Sequence, residues 1–145
     1  MNSSTPNPRP MAVRVLMALL LVQGLGGLAG GAALTARPSG SIMKMPVSYL
    51  HGSPFSDYLV PGLILGLVLG VFPLVVLSGI WRARAWAWYG SFAVGCGLAI
   101  WVIVEITIIP YNILQPVFGA VGVLMALTTL LAPVRRYCEV VLQRP

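Results

Sequence analysis

The chain is poor in the residues that carry chemistry in water. Of its 145 residues only three are acidic, one is histidine and two are cysteine. Paired carboxylates, nucleophile and base combinations and phosphate-cradling glycine loops do not occur as recognisable constellations, so no reaction is marked by motif. Cys96 and Cys138 belong to no CxxC pair, and no His/Cys spacing matches a zinc site, which argues against a thiol oxidoreductase or a structural metal. Segments of about ten residues with alternating polarity, the mark of a membrane β-barrel, are also missing. Neither a metal nor a cofactor is expected.

What the chain has instead is four long apolar runs: Val15 to Leu34, Tyr58 to Trp81, Ala85 to Ile109 and Ile113 to Val134. Only Glu105 is ionisable within them. At about 1.5 Å rise per residue each run reaches roughly 30 Å, the thickness of a bilayer's hydrocarbon. Backbone N–H and C=O groups in lipid need internal partners, which a helix supplies within one segment. The expectation is an all-α membrane protein: one domain over 1–145 with transmembrane helices over 13–35, 54–81, 85–109 and 113–134. They should form an antiparallel bundle with a short external cap over 36–57. A cleaved signal peptide is the rival reading of the start, because Arg9 and Arg14 precede a run ending in Gly31, Ala32, Ala33 and Thr35-Ala36. That run is longer than an h-region of about 7–15 residues, so an uncleaved anchor is expected.

The net charge of +6 raises the question of a nucleic-acid partner, and placement answers it. Arg9, Arg14, Arg82, Arg84, Arg135, Arg136 and Arg144 would share one side of a four-span protein, with only Arg37 and Lys44 on the other. This is the positive-inside pattern: both termini cytoplasmic, in a multi-pass protein of the plasma (inner) membrane. The partner it implies is the lipid bilayer, each basic residue near an anionic headgroup being worth about 1 kcal/mol, and no nucleic acid. Trp81, Trp86 and Trp88 flank the Arg82/Arg84 loop as an interfacial aromatic belt. Cys138 follows the Arg135-Arg136 pair close enough to the membrane for palmitoylation, and Cys96 serves as a small packing residue.

Helices in lipid associate by close packing, which glycine permits. Gly26 and Gly30, offset by Gly27 and Gly31, make one ridge, and Gly62, Gly66 and Gly70 another. The first two helices should cross along them, within the bundle rather than between subunits. Gly90 and Gly97, with Gly119 and Gly122, give weaker versions on the last two. Pro110 ends the third helix, Pro116 suits the first turn of the fourth, and Pro133 stops it, leaving a tight hairpin at Tyr111-Asn112. Pro73 should kink the second helix and free the carbonyl of Leu69, with Ser78 a polar neighbour. Ser53-Pro54 reads as an N-cap with proline at N1, and Asp57 suits the first turn.

Gly52-Ser53-Pro54-Phe55, Asp57-Tyr58-Leu59-Val60-Pro61-Gly62, Trp101 to Glu105, Ile109-Pro110-Tyr111 and Gln115-Pro116 together resemble small four-helix integral membrane proteins of bacteria that have no assigned function. The likeness spans roughly residues 15 to 137, and Glu105 departs from the Gln often found at its position there. It implies the four-helix layout and a bacterial plasma membrane, and no activity. The gross layout is also similar to DoxX-like proteins, without a matching motif.

Glu105 is the residue with most at stake. A carboxyl at the centre of a span costs about 2.5–3.5 kcal/mol, less near an end, and an ionisable group there is by default a functional candidate. Five positions before Pro110, it lies roughly 7 Å from the helix end. One reading is a small polar pocket in the outer leaflet, with Glu105 and Gln115 in its walls, Tyr111 and Asn112 at the same depth, and His51 and Tyr58 over it. The other is a structural carboxyl that pins the cap through Arg37 or Lys44, or that reaches the headgroups. Gln23, deep in the first span, should hydrogen-bond to a neighbouring helix. Three functions follow: first, a non-enzymatic accessory or scaffold subunit contacting other membrane proteins; second, a binder or carrier of a small lipophilic molecule at Glu105; third, a membrane enzyme, for which Glu105 lacks an evident reactive partner.

Overall fold

A computed structural model describes residues 9–139; Arg144 lies outside the described residues. Helix α1 is Met11–Ala36, α2 is Leu59–Trp81, α3 is Trp86–Ile108, α4 is Leu114–Leu130 and α5 is Ala132–Glu139. A single 3-10 turn, Val47–Leu50, stands in the segment between α1 and α2. Among the described residues there are no strands. Three helices, α1 to α3, are long and apolar enough to cross a membrane. The fourth, α4, passes that test only together with α5, from which it is bent by 62°. Large apolar side chains such as Leu25, Leu67, Ile100, Ile103 and Leu127 point outward and are more than half exposed. An exterior of this kind is unsuited to water and suited to lipid.

Two helix pairs make the bundle. In the first, Gly24, Gly27 and Gly31 of α1 meet α2, being spaced i, i+3 and i+7 and so on one face. A Cβ at Gly27 would land on the Leu69 carbonyl, and one at Gly31 would lie 2.5 Å from Gly66 Cα. From α2, Gly62 faces Leu34 and Thr35, and Gly70 faces Gly27 and Leu28. Gly66 completes that ridge. Gly26 and Gly30 sit one residue round the helix, with the Phe118 and Leu65 side chains as their nearest neighbours. In the second pair, Gly95 of α3 and Gly122 of α4 bring the two backbones together. Gly97 faces open space.

The prolines shape α2 and α4 through the carbonyls they leave without an ordinary donor. Before Pro73, α2 widens into a π-turn at Leu67–Val71, with Phe72 N–H donating to the Leu67 carbonyl. Pro73 cannot donate to Leu69, four residues back. The Leu69 carbonyl instead accepts from Gln23 Nε2 of α1 at 3.1 Å. Ser78 takes no part in this; its hydroxyl donates to the Val75 carbonyl at 2.7 Å. Pro133 repeats the pattern: the Thr129 carbonyl accepts from Trp88 Nε1 at 2.8 Å. The chain turns extended at Leu131 and resumes as α5, with Pro133 in its first turn. The fourth helix ends ahead of Pro133 as expected, and a fifth, which the sequence reading lacked, starts there.

The second helix begins at Leu59, five residues later than 54. Ser53 is engaged in a local turn instead, its hydroxyl donating to the Leu50 carbonyl at 2.8 Å and accepting from Phe55 N–H at 3.3 Å. Asp57 does serve the helix start, accepting from Leu59 N–H at 2.9 Å. The loop from Arg37 to Tyr58 folds over one end of the bundle as a cap, through a small core of Leu34, Leu50 and Tyr58. At the opposite end Arg9 lies over the Trp81 ring at 4.2 Å and donates to the Tyr137 hydroxyl at 3.2 Å. Arg135 stacks on Trp88 at 5.7 Å and pairs with Glu139 at 2.8 Å. This basic end encloses the largest core cluster, built on Leu16, Leu20, Val76, Ile80 and Met125.

Candidate functional site

Beneath the cap the helices stand apart around a cavity of about 380 Å³. That is within the usual range for small-molecule sites, roughly 300–1,000 Å³. Its existence follows from the glycines. Gly26 and Gly30 contribute wall without side chains, while α1 is held tight to α2 by Gly27 and Gly31 on the adjoining face. Leu65 of α2, Leu98, Trp101 and Val102 of α3, and Phe118 of α4 form the remaining apolar wall. Met43, Met45, Leu50, Phe55 and Tyr58 roof it from the cap.

Four lining residues carry polar side-chain atoms: Gln23, Tyr58, Trp101 and Glu105. Gln23 is only 2 % exposed. Its amide orientation follows from chemistry, because the Leu69 carbonyl can only accept and must face the NH2 group. The carbonyl oxygen Oε1 therefore points away from α2, and it is buried with no hydrogen-bond partner. A buried acceptor left so costs about 1–3 kcal/mol, and such exceptions call for a reason. Glu105 is half-buried near the cap end of α3. Arg37 and Lys44 are exposed, and among the described residues the only ion pair is Arg135 with Glu139, at the far end.

Tyr58 holds the roof. It is 1 % exposed, its hydroxyl donates to the Pro46 carbonyl at 3.1 Å, and its N–H donates to Pro38 at 2.9 Å. Gly40, at φ +73°, lies so close under the ring that a Cβ would come within 2.9 Å of it. Burial first, and the neighbouring Tyr49 second, push the Tyr58 phenol above the ordinary tyrosine range. The roof is thereby built on a neutral phenol.

Of the six residues the sequence put forward, Glu105 and Tyr58 line the cavity, and the Asn112 side chain is engaged in the hairpin, accepting from Leu114 N–H at 2.9 Å. Gln115 is buried but turned into the hairpin: Oε1 accepts from Asn112 N–H at 3.3 Å, and Nε2 donates to the Ile109 and Pro110 carbonyls at 3.4 and 3.5 Å. Tyr111 is 77 % exposed, and His51 is exposed in the loop, outside the lining. Sequence reasoning left most of the lining out of the site, Gln23, Trp101 and Phe118 among it; for Gln23 a signal was present, as a lone amide in one span and a proline-freed carbonyl in the next. Cys138 is fully buried, which closes it to acylation. Among the described residues no three of His, Cys, Asp and Glu come together as a metal site. No family model, no curated protein and no solved structure matches this chain.

Proposed function

We propose that this is a four-span membrane protein that binds or carries a small lipophilic molecule in the cavity under its cap. The observation that carries the reading is an apolar cavity of about 380 Å³ with one carboxyl, that of Glu105, in its wall. Apolar walls with a few placed polar groups are the usual composition of small-molecule sites. The accessory-subunit reading loses ground because Gly27, Gly31, Gly62 and Gly70 are already spent on contacts inside the chain.

The proposal includes an orientation. The basic end, with Arg9, Arg14, Arg82, Arg84, Arg135 and Arg136, faces the cytoplasm, and the cap faces outward from the plasma membrane, in keeping with the positive-inside rule. The cavity then belongs to the outer leaflet. Native mass spectrometry of protein extracted from its own membranes tests the function: a retained small lipophile, released by Glu105→Ala, is expected. Protein that carries no mass beyond common bilayer lipids, in both wild type and variant, contradicts it.

A further inference from the structure

The head-group chemistry of the occupant can be read from which polar atoms of the cavity are already engaged. This step rests on the lipophile-binding reading above. Gln23 Nε2 is committed to the Leu69 carbonyl, and the Tyr58 hydroxyl to the Pro46 carbonyl. These are the hydrogen-bond donors of the lining apart from the indole N–H of Trp101. What remains beside that N–H is the Glu105 carboxyl, the one acidic side chain in the wall. No Lys, Arg or His lines the cavity among the described residues. An anionic head, such as a fatty-acid carboxylate or a phosphate, would bring negative charge to Glu105 with no cation in the wall to offset it. A protonated amine brings three donors and no acceptor, and a positive charge.

We infer that the cavity selects a lipophilic amine: a hydrocarbon body against the apolar wall, with its ammonium group at the Glu105 carboxyl. Phe55, Trp101 and Phe118 contribute aromatic surface of the kind that attracts organic cations. The position of Glu105 near the cap end also suits entry, because it meets the charged head before the depth of the bundle does. Among the described residues no basic side chain pairs with this carboxyl, so an incoming cation displaces no existing ion pair.

The test uses two probes of matched body, n-decylamine and n-decanol, offered together to the full-length protein in nanodiscs and read by native mass spectrometry. A charge-assisted hydrogen bond is stronger than a neutral one by enough to give an amine preference of about tenfold or more. Glu105→Gln, which keeps shape and removes charge, should reduce that preference to near unity while the alcohol still binds, which also shows that the variant is folded. Equal binding of both probes to the wild type overturns the amine inference and leaves the lipophile reading standing. An amine preference that survives Glu105→Gln also overturns it. Binding of neither probe overturns the lipophile reading itself.

Discussion

Gln23 serves the neighbouring helix with its amide. Its NH2 group repairs the break that Pro73 makes in α2, and its carbonyl oxygen is left buried without a partner. Gln23→Leu should cost about 1 kcal/mol, the scale of interhelical hydrogen bonds in membranes. In a Pro73→Ala background the new N–H can reach the Leu69 carbonyl, so the same substitution should cost less than half as much. Thermal melts of the four proteins of this cycle measure the coupling; equal costs in both backgrounds would show that the Leu69 carbonyl is not what Gln23 serves. Tyr58 gives a second residue-level expectation. Its phenol is raised in the folded state, so its contribution is complete below the ordinary tyrosine range and is lost as the pH climbs through the raised value. Stability should therefore fall at strongly alkaline pH. Tyr58→Phe, at a cost of about 1 kcal/mol at neutral pH, should remove that part of the alkaline loss.

At the scale of elements, the seam between α1 and α2 is a contact of backbones. A leucine at Gly27 must displace the Leu69 carbonyl, and Gly27→Leu should cost at least about 3 kcal/mol or prevent folding, as overpacking of a close contact does. Gly97→Ala, where nothing lies within 4 Å, should be neutral or stabilising by up to about 1 kcal/mol from helix propensity. Circular-dichroism melts in one detergent compare them directly, and similar losses at both positions would deny the seam its role. The glycine ridge of α2 was legible in the sequence because its four-residue steps leave one face to choose. On α1 four glycines in two adjacent pairs, Gly26-Gly27 and Gly30-Gly31, offer two faces 100° apart, and only the partner helix decides between them. Pro133 was legible as the end of α4 but not as the start of α5, because a proline ends one helix and starts another with the same chemistry. The cavity was half legible. Glu105 is conspicuous in any apolar run, whereas Gln115 looks equally placed for the pocket and is consumed by the hairpin's own carbonyls.

Over the whole molecule, charge and structure divide along the bundle axis. One end gathers six arginines with Trp81, Trp88 and Tyr137 around a dense core; the other carries the cap, the cavity and Glu105. The short α4 with its bent continuation α5 is the element on which a fourth crossing depends. Every inference about the cavity's leaflet, and about how a lipophile reaches it, assumes that the cap and the basic end lie on opposite faces of the membrane. Single cysteines at Ser39, Arg84, Tyr111 and Arg136, in a background with Cys96 and Cys138 replaced, test this with a membrane-impermeant thiol reagent on intact cells. Labelling at Ser39 and Tyr111 from outside, with Arg84 and Arg136 reached only after permeabilisation, is the predicted result. Tyr111 and Arg136 labelled from the same side would contradict it, because α4 would then not cross and the cavity would not be enclosed by four spans.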